Sequence, residues 1–371
     1  MKLRFKKHVA LTLISLMLLS LIGCGKPAST DTTTTTETAV TEAPAASISD
    51  AATTADSTPA DASEEGSDAQ TIYPVTVTDQ AGREVTIEKE PESIVSGYYI
   101  STSLLLALGL KDKVTGIEAK ADKRPIYKLA APEFLELPNV GTAKEFDLET
   151  CASLSPELVI LPMKLKDAAQ SLSELDIPVL LVNPESEDQL EQMIELVSTA
   201  TNTKGNADAL LSYIDEKKEM LEKDLSGVDA KSVYLAGNSS LLSTAGPAMY
   251  QSGLIELAGG KNAASEITDT YWAEISYEQL LAWDPSYIIL ASDAEYTPED
   301  VLNDENLKEC TAVKNGNVYA IPGDIEALDS PVPGGILASI WLAGILHPDQ
   351  VSADMYTEEK AAFYETFYGI K

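Results

Sequence analysis

Histidine is nearly missing from this 371-residue chain, which has only His8 and His347. A protein site for bare Zn²⁺ or Mn²⁺ needs clustered imidazoles and carboxylates, and acid–base triads need a positioned histidine. Both chemistries lose their usual carrier here. Arginine is as scarce, standing only at Arg4, Arg83 and Arg124. Lys and Arg together number 26 against 59 Asp and Glu, a formal charge of −33. That balance excludes nucleic acid as a partner, because phosphate binding requires clustered cations. There are three cysteines. Cys151 occupies an apolar position of a predicted helix and Cys310 lies in a separate segment, a pattern that reads as two buried free thiols, with a disulfide as the other option. No Walker-type phosphate loop is present, and no nucleophile–base pair speaks for an enzyme.

What is there begins with a basic segment, Lys2, Arg4, Lys6 and Lys7, and an apolar run from Val9 to Ile22. That run is too short to span roughly 30 Å of hydrocarbon, so it reads as the core of an export signal. It ends in Leu21-Ile22-Gly23-Cys24, which resembles a bacterial lipobox, where the cysteine is acylated and becomes the first mature residue. Residues 1–23 are therefore expected to be a lipoprotein signal peptide and Cys24 the lipidated residue. Residues 24–70 are rich in Thr, Ala, Ser, Asp and Glu, with no aromatic side chain between Cys24 and Tyr73. Such a stretch buries too little apolar surface to offset its ordering entropy. It is expected to be a disordered tether with an r.m.s. span of roughly 40 Å.

The remaining chain, about 300 residues, is long enough for two lobes. A hairpin is predicted first, Val75 to Val77 turning through Gln80-Ala81-Gly82-Arg83 into Glu84 to Ile87. Short apolar strands follow at Ser93–Ser96, Val114–Ile117, Leu158–Leu161 and Val179–Val182, then at Ser232–Leu235, Tyr287–Leu290 and Val318–Ile321. Helical segments separate them, which points to an α/β fold with parallel sheets covered on both faces. Between the halves runs an uninterrupted helical pattern from Gly205 to about Leu225, apolar at Leu210, Leu211, Ile214, Met220 and Leu221, with Lys217, Lys218 and Glu219 assigned to its wet face. The expected layout is an N-terminal lobe at 71–203, a connecting helix at 204–226 and a C-terminal lobe at 227–371.

An internal repeat supports the two lobes. Glu145-Phe146-Asp147-Leu148-Glu149 leads to Pro156 and Leu158-Val159-Ile160-Leu161; Glu274-Ile275-Ser276-Tyr277-Glu278 leads to Pro285 and Tyr287-Ile288-Ile289-Leu290. The copies are displaced by 129 residues, as Glu274 is from Glu145. Each reads as cap, short helix, Pro-marked turn and buried strand. With Asp147 and Ser276 as N-caps, Glu149 and Glu278 both fall at the second helical position.

Four segments then carry a family resemblance. They are Leu108 to Ile117 (LGLKDKVTGI), Leu257 to Ala263 (LAGGKNA), Ala312 to Tyr319 (AVKNGNVY), and Trp341-Leu342-Ala343 running to His347-Pro348. In this order, behind a lipobox, the chain resembles the iron-siderophore and vitamin B12 class of binding proteins that feed ABC importers. The resemblance implies two Rossmann-like α/β lobes joined by one long helix, with the ligand in the cleft between them. It also implies a partner, a permease dimer with its ATPase, and contact with the membrane through the lipid anchor only, on its extracytoplasmic face. In such proteins a glutamate from each lobe docks on arginine-lined pockets of the permease, and the matching positions are Glu149 and Glu278.

The cleft is expected at loops following the strands, which carry Tyr98, Tyr99, Met163, Lys164, Asn238 and Ser239. Tyr271 and Trp272 precede the second repeat copy. Trp272-Ala273-Glu274-Ile275-Ser276 is similar to the vitamin B12-binding protein, where the matching tryptophan lines the corrinoid site. Aromatic faces suit a macrocycle or siderophore, and Tyr127 is a further candidate. Ala143 stands where that protein has a second tryptophan, which departs from the corrinoid pattern. Lys144 and Lys164 are candidates for holding one anionic group. No resident cofactor or metal is expected; the ligand is read as a metal chelate, a ferric siderophore or a corrinoid- or haem-like ring. The alternatives are a molybdate or tungstate binder of the same fold, or a surface adhesion or enzyme variant.

Overall fold

The computed structural model describes residues 70–268 and 270–371. The expected signal, Cys24 and all but the last residue of the tether lie outside the described residues. An antiparallel hairpin comes first, β1 (Val75–Thr78) with β2 (Glu84–Ile87). Four parallel strands follow, β3 (Ile94–Ser96), β4 (Val114–Gly116), β5 (Leu158–Pro162) and β6 (Val179–Val182), in the order β4-β3-β5-β6. The later strands are β7 (Lys231–Ala236), β8 (Ser243–Ala245), β9 (Gly260–Asn262), β10 (Trp272–Glu274), β11 (Tyr287–Leu290) and β12 (Val318–Ala320). Four of these form a second parallel sheet, β9-β7-β11-β12, while β8 and β10 pair only with each other, antiparallel. Counted within each half, both parallel sheets share one strand order, 2-1-3-4. β5 and β6 are buried along their whole length, as strands covered on both faces must be.

The hairpin turn has a second task. Asp79 forms a 2.7 Å ion pair with Arg83, and Arg83 Nη2 donates to the Val179 carbonyl at 2.7 Å. The Leu181 amide donates to Asp79 Oδ2 at 3.1 Å and the Asn183 amide to Gln80 Oε1 at 2.7 Å. These groups close the outer edge of β6, which would otherwise offer unpaired backbone to another chain.

A 21-residue helix, Lys204–Asp224, stands between the halves, a rod of about 30 Å. Ala207, Leu210, Ile214 and Leu221 are its buried apolar positions. Lys217 is a correction: it is buried, not on the wet face. Its ammonium lies 2.9 Å from Glu359 of the C-terminal helix, Ala353–Tyr368, and 5.0 Å from the Tyr213 ring centroid. Lys218 is half-buried and pairs with Glu191 of helix Glu187–Thr201 at 2.6 Å. Helical spacing alone cannot show that two neighbouring helices supply these acids.

One hydrophobic cluster runs through both halves along this helix, from Leu104 and Leu105 through Leu210 and Ile214 to Ile336 and Phe363. Two smaller clusters sit apart, one around Cys151 with Val159 and Leu161, the other around Leu280, Ile288 and Cys310. The cysteines are therefore free thiols in separate cores. Burial pushes the Cys151 thiol up to about 12, which keeps it un-ionised and inert. His347, the single histidine among the described residues, donates from Nε2 to the Gly259 carbonyl at 3.0 Å, a structural role.

Candidate functional site

In open α/β sheets ligands bind outside the carboxyl ends of the strands, where the strand order reverses. The shared order puts that switch between β3 and β5 in one lobe and between β7 and β11 in the other. Each lobe thus offers two adjacent strand ends.

In the first lobe β3 runs out through Gly97 into Tyr98 and the helix Tyr99–Ala107. The two tyrosine rings meet edge-on, with centroids 5.4 Å apart. The Tyr99 hydroxyl donates across to Ser330 Oγ at 2.9 Å. The Arg124 guanidinium stacks on the Tyr99 ring, 3.9 Å from its centroid, and lies 3.6 Å from Asp293 in the loop after β11. Burial raises the pKa of both phenols, so they stay un-ionised donors. Beside them, at the end of β5, Met163 is half-buried and Lys164 exposed in a short 3₁₀ turn. Lys144 is exposed in the tight turn Thr142–Glu145. Neither Lys144 nor Lys164 has an ion-pair partner among the described residues.

In the second lobe the key element is the β8–β10 ribbon. It places Trp272 opposite Ala245, with its ring over the end of β7. A Cβ on Gly237 would stand 3.0 Å from Trp272 Cζ3, so the missing side chain makes room for the indole. Trp272 is 41 % exposed and Tyr271 55 %, high values for rings of this size. The loop after β7 is tied to the loop after β11: the Tyr296 hydroxyl donates to the Gly237 carbonyl at 2.7 Å and the Glu295 amide to Asn238 O at 2.8 Å. Asn238 and Ser239 are exposed there.

Three carboxyls lie buried at the ends of strands or in the loops that follow. Glu118 accepts from Thr102 at 2.7 Å and Tyr127 at 2.6 Å. Asp329 accepts from the Ser292 hydroxyl and amide. Glu326 accepts from the Ser103 hydroxyl and from Tyr364 at 3.1 Å. Desolvation raises the pKa of all three.

Tyr98, Tyr99, Met163, Lys164, Asn238, Ser239 and Trp272 thus stand at strand ends of the expected kind, with Tyr271 beside Trp272. Tyr127 does not. It is 1 % exposed, packs edge-on against Phe134 at 5.8 Å, and spends its hydroxyl on Glu118. It is a wall of the core, because the helix Pro125–Ala130 turns it inward. Arg124, Asp293 and Ser330 were not singled out from sequence. The one available signal for Arg124 was its rarity, a lone arginine directly before a proline-started helix. Glu149 and Glu278 are exposed at the second position of their short helices, Leu148–Ser153 and Tyr277–Trp283. The N-caps Asp147 and Ser276 accept from Thr150 and Gln279 amides at 2.8 and 3.2 Å. Among the described residues no group of three or more His, Cys, Asp or Glu is placed to hold a metal ion.

Residues 94–325 match the model of the periplasmic binding protein family. An uncharacterized ABC transporter substrate-binding lipoprotein of Bacillus subtilis, YvrC, is 28 % identical over 273 residues, 70 % of this chain and 82 % of that one. The molybdate-binding protein MolA of Haemophilus influenzae is 24 % identical over 319 residues, 79 % of this chain and 90 % of its own. Among solved structures, a periplasmic solute binding protein from Veillonella parvula superposes with a TM-score of 0.71 at 26 % identity, covering 80 % of this chain and 93 % of that one.

Proposed function

The chain belongs to the periplasmic binding protein family, and from that premise we propose that it captures a metal chelate outside the cytoplasm and delivers it to the permease of an ABC importer. The observation that carries the choice of ligand is Trp272. A large indole stands 41 % exposed at the end of β7 with a glycine beneath it and Tyr271 beside it. Nothing in the packing of the lobe requires that exposure, whereas a flat organic surface would cover it. Tyr98 and the Tyr99–Arg124 stack offer aromatic and guanidinium faces on the other lobe. A metal bound between such faces arrives with its own ligands, as in a ferric siderophore, a corrinoid or haem. The role is that of a binder and not of an enzyme.

Binding of siderophores, haem, cyanocobalamin, molybdate and tungstate, followed by native mass spectrometry and tryptophan fluorescence, tests this reading. A chelate is expected to bind and to change the Trp272 signal. MolA makes the oxyanions the competing outcome: binding of molybdate or tungstate alone overturns the chelate.

The same reading places residues 1–23 as a lipoprotein signal, Cys24 as the acylated residue and 24–70 as the tether, with lobes at 71–203 and 227–371 around the helix region 204–226. Cys24→Ser is expected to leave a soluble or uncleaved precursor that still binds ligand; a variant processed and acylated as usual overturns the assignment of Cys24 as the lipidated residue. Glu149 and Glu278, equivalent in the repeat and exposed, are proposed to dock the two lobes on the permease. An acid in a first helical turn also complements the helix dipole without any partner, and the double variant described below separates the two roles.

A further inference from the structure

Beneath the cleft the two lobes meet at a knot of polar side chains. Glu326 lies in the loop after β12 and is 5 % exposed. Its Oε1 accepts from Ser103 Oγ, on the helix Tyr99–Ala107 of the other lobe, and its Oε2 accepts from the Tyr364 hydroxyl at 3.1 Å. The Tyr368 hydroxyl lies 2.9 Å from Ser103 Oγ. With the carboxyl ionised, Ser103 donates to Glu326 and Tyr368 donates to Ser103; with the carboxyl protonated the relay reverses, Glu326 donating to Ser103 and Ser103 to Tyr368. Three elements are thus laced together: a first-lobe helix, a second-lobe loop and the C-terminal helix. Gly334 packs so tightly on the knot that a Cβ there would stand 3.0 Å from Glu326 Oε2. A narrow cavity at the seam is lined by Ser103, Lys123, Arg124, Asp293 and Glu326.

Among the described residues no ammonium or guanidinium bonds to this carboxyl. The helix Tyr99–Ala107 faces it with Tyr99, the segment before Pro125 with Arg124, and the C-terminal helix with Tyr364 and Tyr368. Lys360 of that last helix is occupied 2.5 Å from Asp324. From the second lobe, Tyr250 and Asp329 lie nearby. Among the described residues Arg124 is the cation whose field favours the ionised form, and it is shared with Glu118 and Asp293.

We propose that Glu326 is a proton-operated latch between the two lobes: the seam is held while its carboxyl is protonated and loosens when that carboxyl ionises. The physical reason is desolvation. A carboxylate shut away from water without a cation partner costs free energy that water entering an opened seam relieves. Burial raises Glu326 from its ordinary 4.5 to about 7, with the Ser103, Tyr364 and Tyr368 hydroxyls and Arg124 pulling the other way. The sign follows from the raised value. Below 4.5 both closed and open seams hold the proton and opening is independent of pH. Between 4.5 and about 7 the open seam releases it first, so opening grows with pH; above about 7 both forms are ionised and the effect is complete. The latch does not depend on which solute is carried.

Hydrogen exchange of the full chain, corrected for intrinsic exchange chemistry, measures seam opening at the amides of Tyr99–Ala107 and Ala353–Tyr368. From pH 5 to 8 opening is expected to rise on the order of a hundredfold and to level off above about 7. Glu326→Gln, a neutral carboxyl mimic, should flatten the profile at its low-pH level. Tyr364→Phe removes a donor to the ionised form and should move the plateau to higher pH, so the test does not hang on one variant folding. A wild-type seam indifferent to pH over this range, or a profile that survives Glu326→Gln, overturns the latch.

Discussion

The two lobes are built to one plan and finished differently. Both have a parallel sheet ordered 2-1-3-4, a glycine directly after the first strand, and the same capped short helix with an exposed glutamate at its second position. At Gly97 a Cβ would stand 2.6 Å from Leu161 and 3.3 Å from Phe146, half-buried in the outer core. At Gly237 it would meet Trp272, 41 % exposed. The same empty Cα position therefore serves packing in one lobe and a display surface in the other. The equivalence runs through the parallel sheets and the paired exposed glutamates, and the strand ends that face the cleft differ.

The symmetric part is broken most completely by changing both glutamates. Glu149→Ala with Glu278→Ala is expected to abolish uptake and association with permease-bearing vesicles while ligand affinity stays near wild type. Ordinary uptake with only a small loss of thermal stability would leave the dipole as their whole role.

The asymmetric part is sharpened by two aromatic truncations. Trp272→Ala should weaken ligand binding by about 1–3 kcal/mol, the usual cost of losing an aromatic anchor, with cooperative unfolding intact. Phe146→Ala should do the reverse, lowering stability by roughly 2–3 kcal/mol, below the fully buried range because the ring is only half-buried, and leaving affinity alone. Titration calorimetry with denaturant unfolding reads both, and equal effects on affinity would erase the difference between the lobes. The glycines give a smaller contrast. Gly97→Ala is expected to cost about 1–3 kcal/mol of stability by overpacking. Gly237→Ala should cost less, because the exposed indole can move outward, and should register instead as a change in tryptophan emission and a less than tenfold change in affinity. The smallest effect belongs to the shared cap: Ser276→Ala should lower stability by about 0.5–2 kcal/mol and change neither affinity nor uptake.

The legible and the hidden parts of the molecule divide along a physical line. The repeat was readable because both copies need a cap, an apolar helical position and a continuous buried strand, each of which restricts residue type locally. Cys151 and Leu280, which the 129-residue displacement sets against each other, are an instance, since both are fully buried in equivalent cores. The β8–β10 ribbon was not readable: Ser243–Ala245 and Trp272–Glu274 are three residues each and are strands only because they pair across the chain. Tyr127 was misplaced for the same reason, because a tyrosine beside a cleft loop looks alike whether its ring turns outward or toward Glu118.

By itself the sequence determined the alternation of buried strands and helices, the long helix between the halves and the paired exposed glutamates. Periodicity, capping and composition act over a few residues at a time and leave their mark in residue type. Only the tertiary structure decided that Arg124 stacks on Tyr99, that Lys217 turns inward to Glu359, that Gly237 makes room for Trp272, and that Glu326 is buried between the lobes with no cation bonded to it among the described residues. Each of those depends on what a distant segment brings within a few ångströms, and burial of charge, unlike helical spacing, is a property of the assembled surroundings.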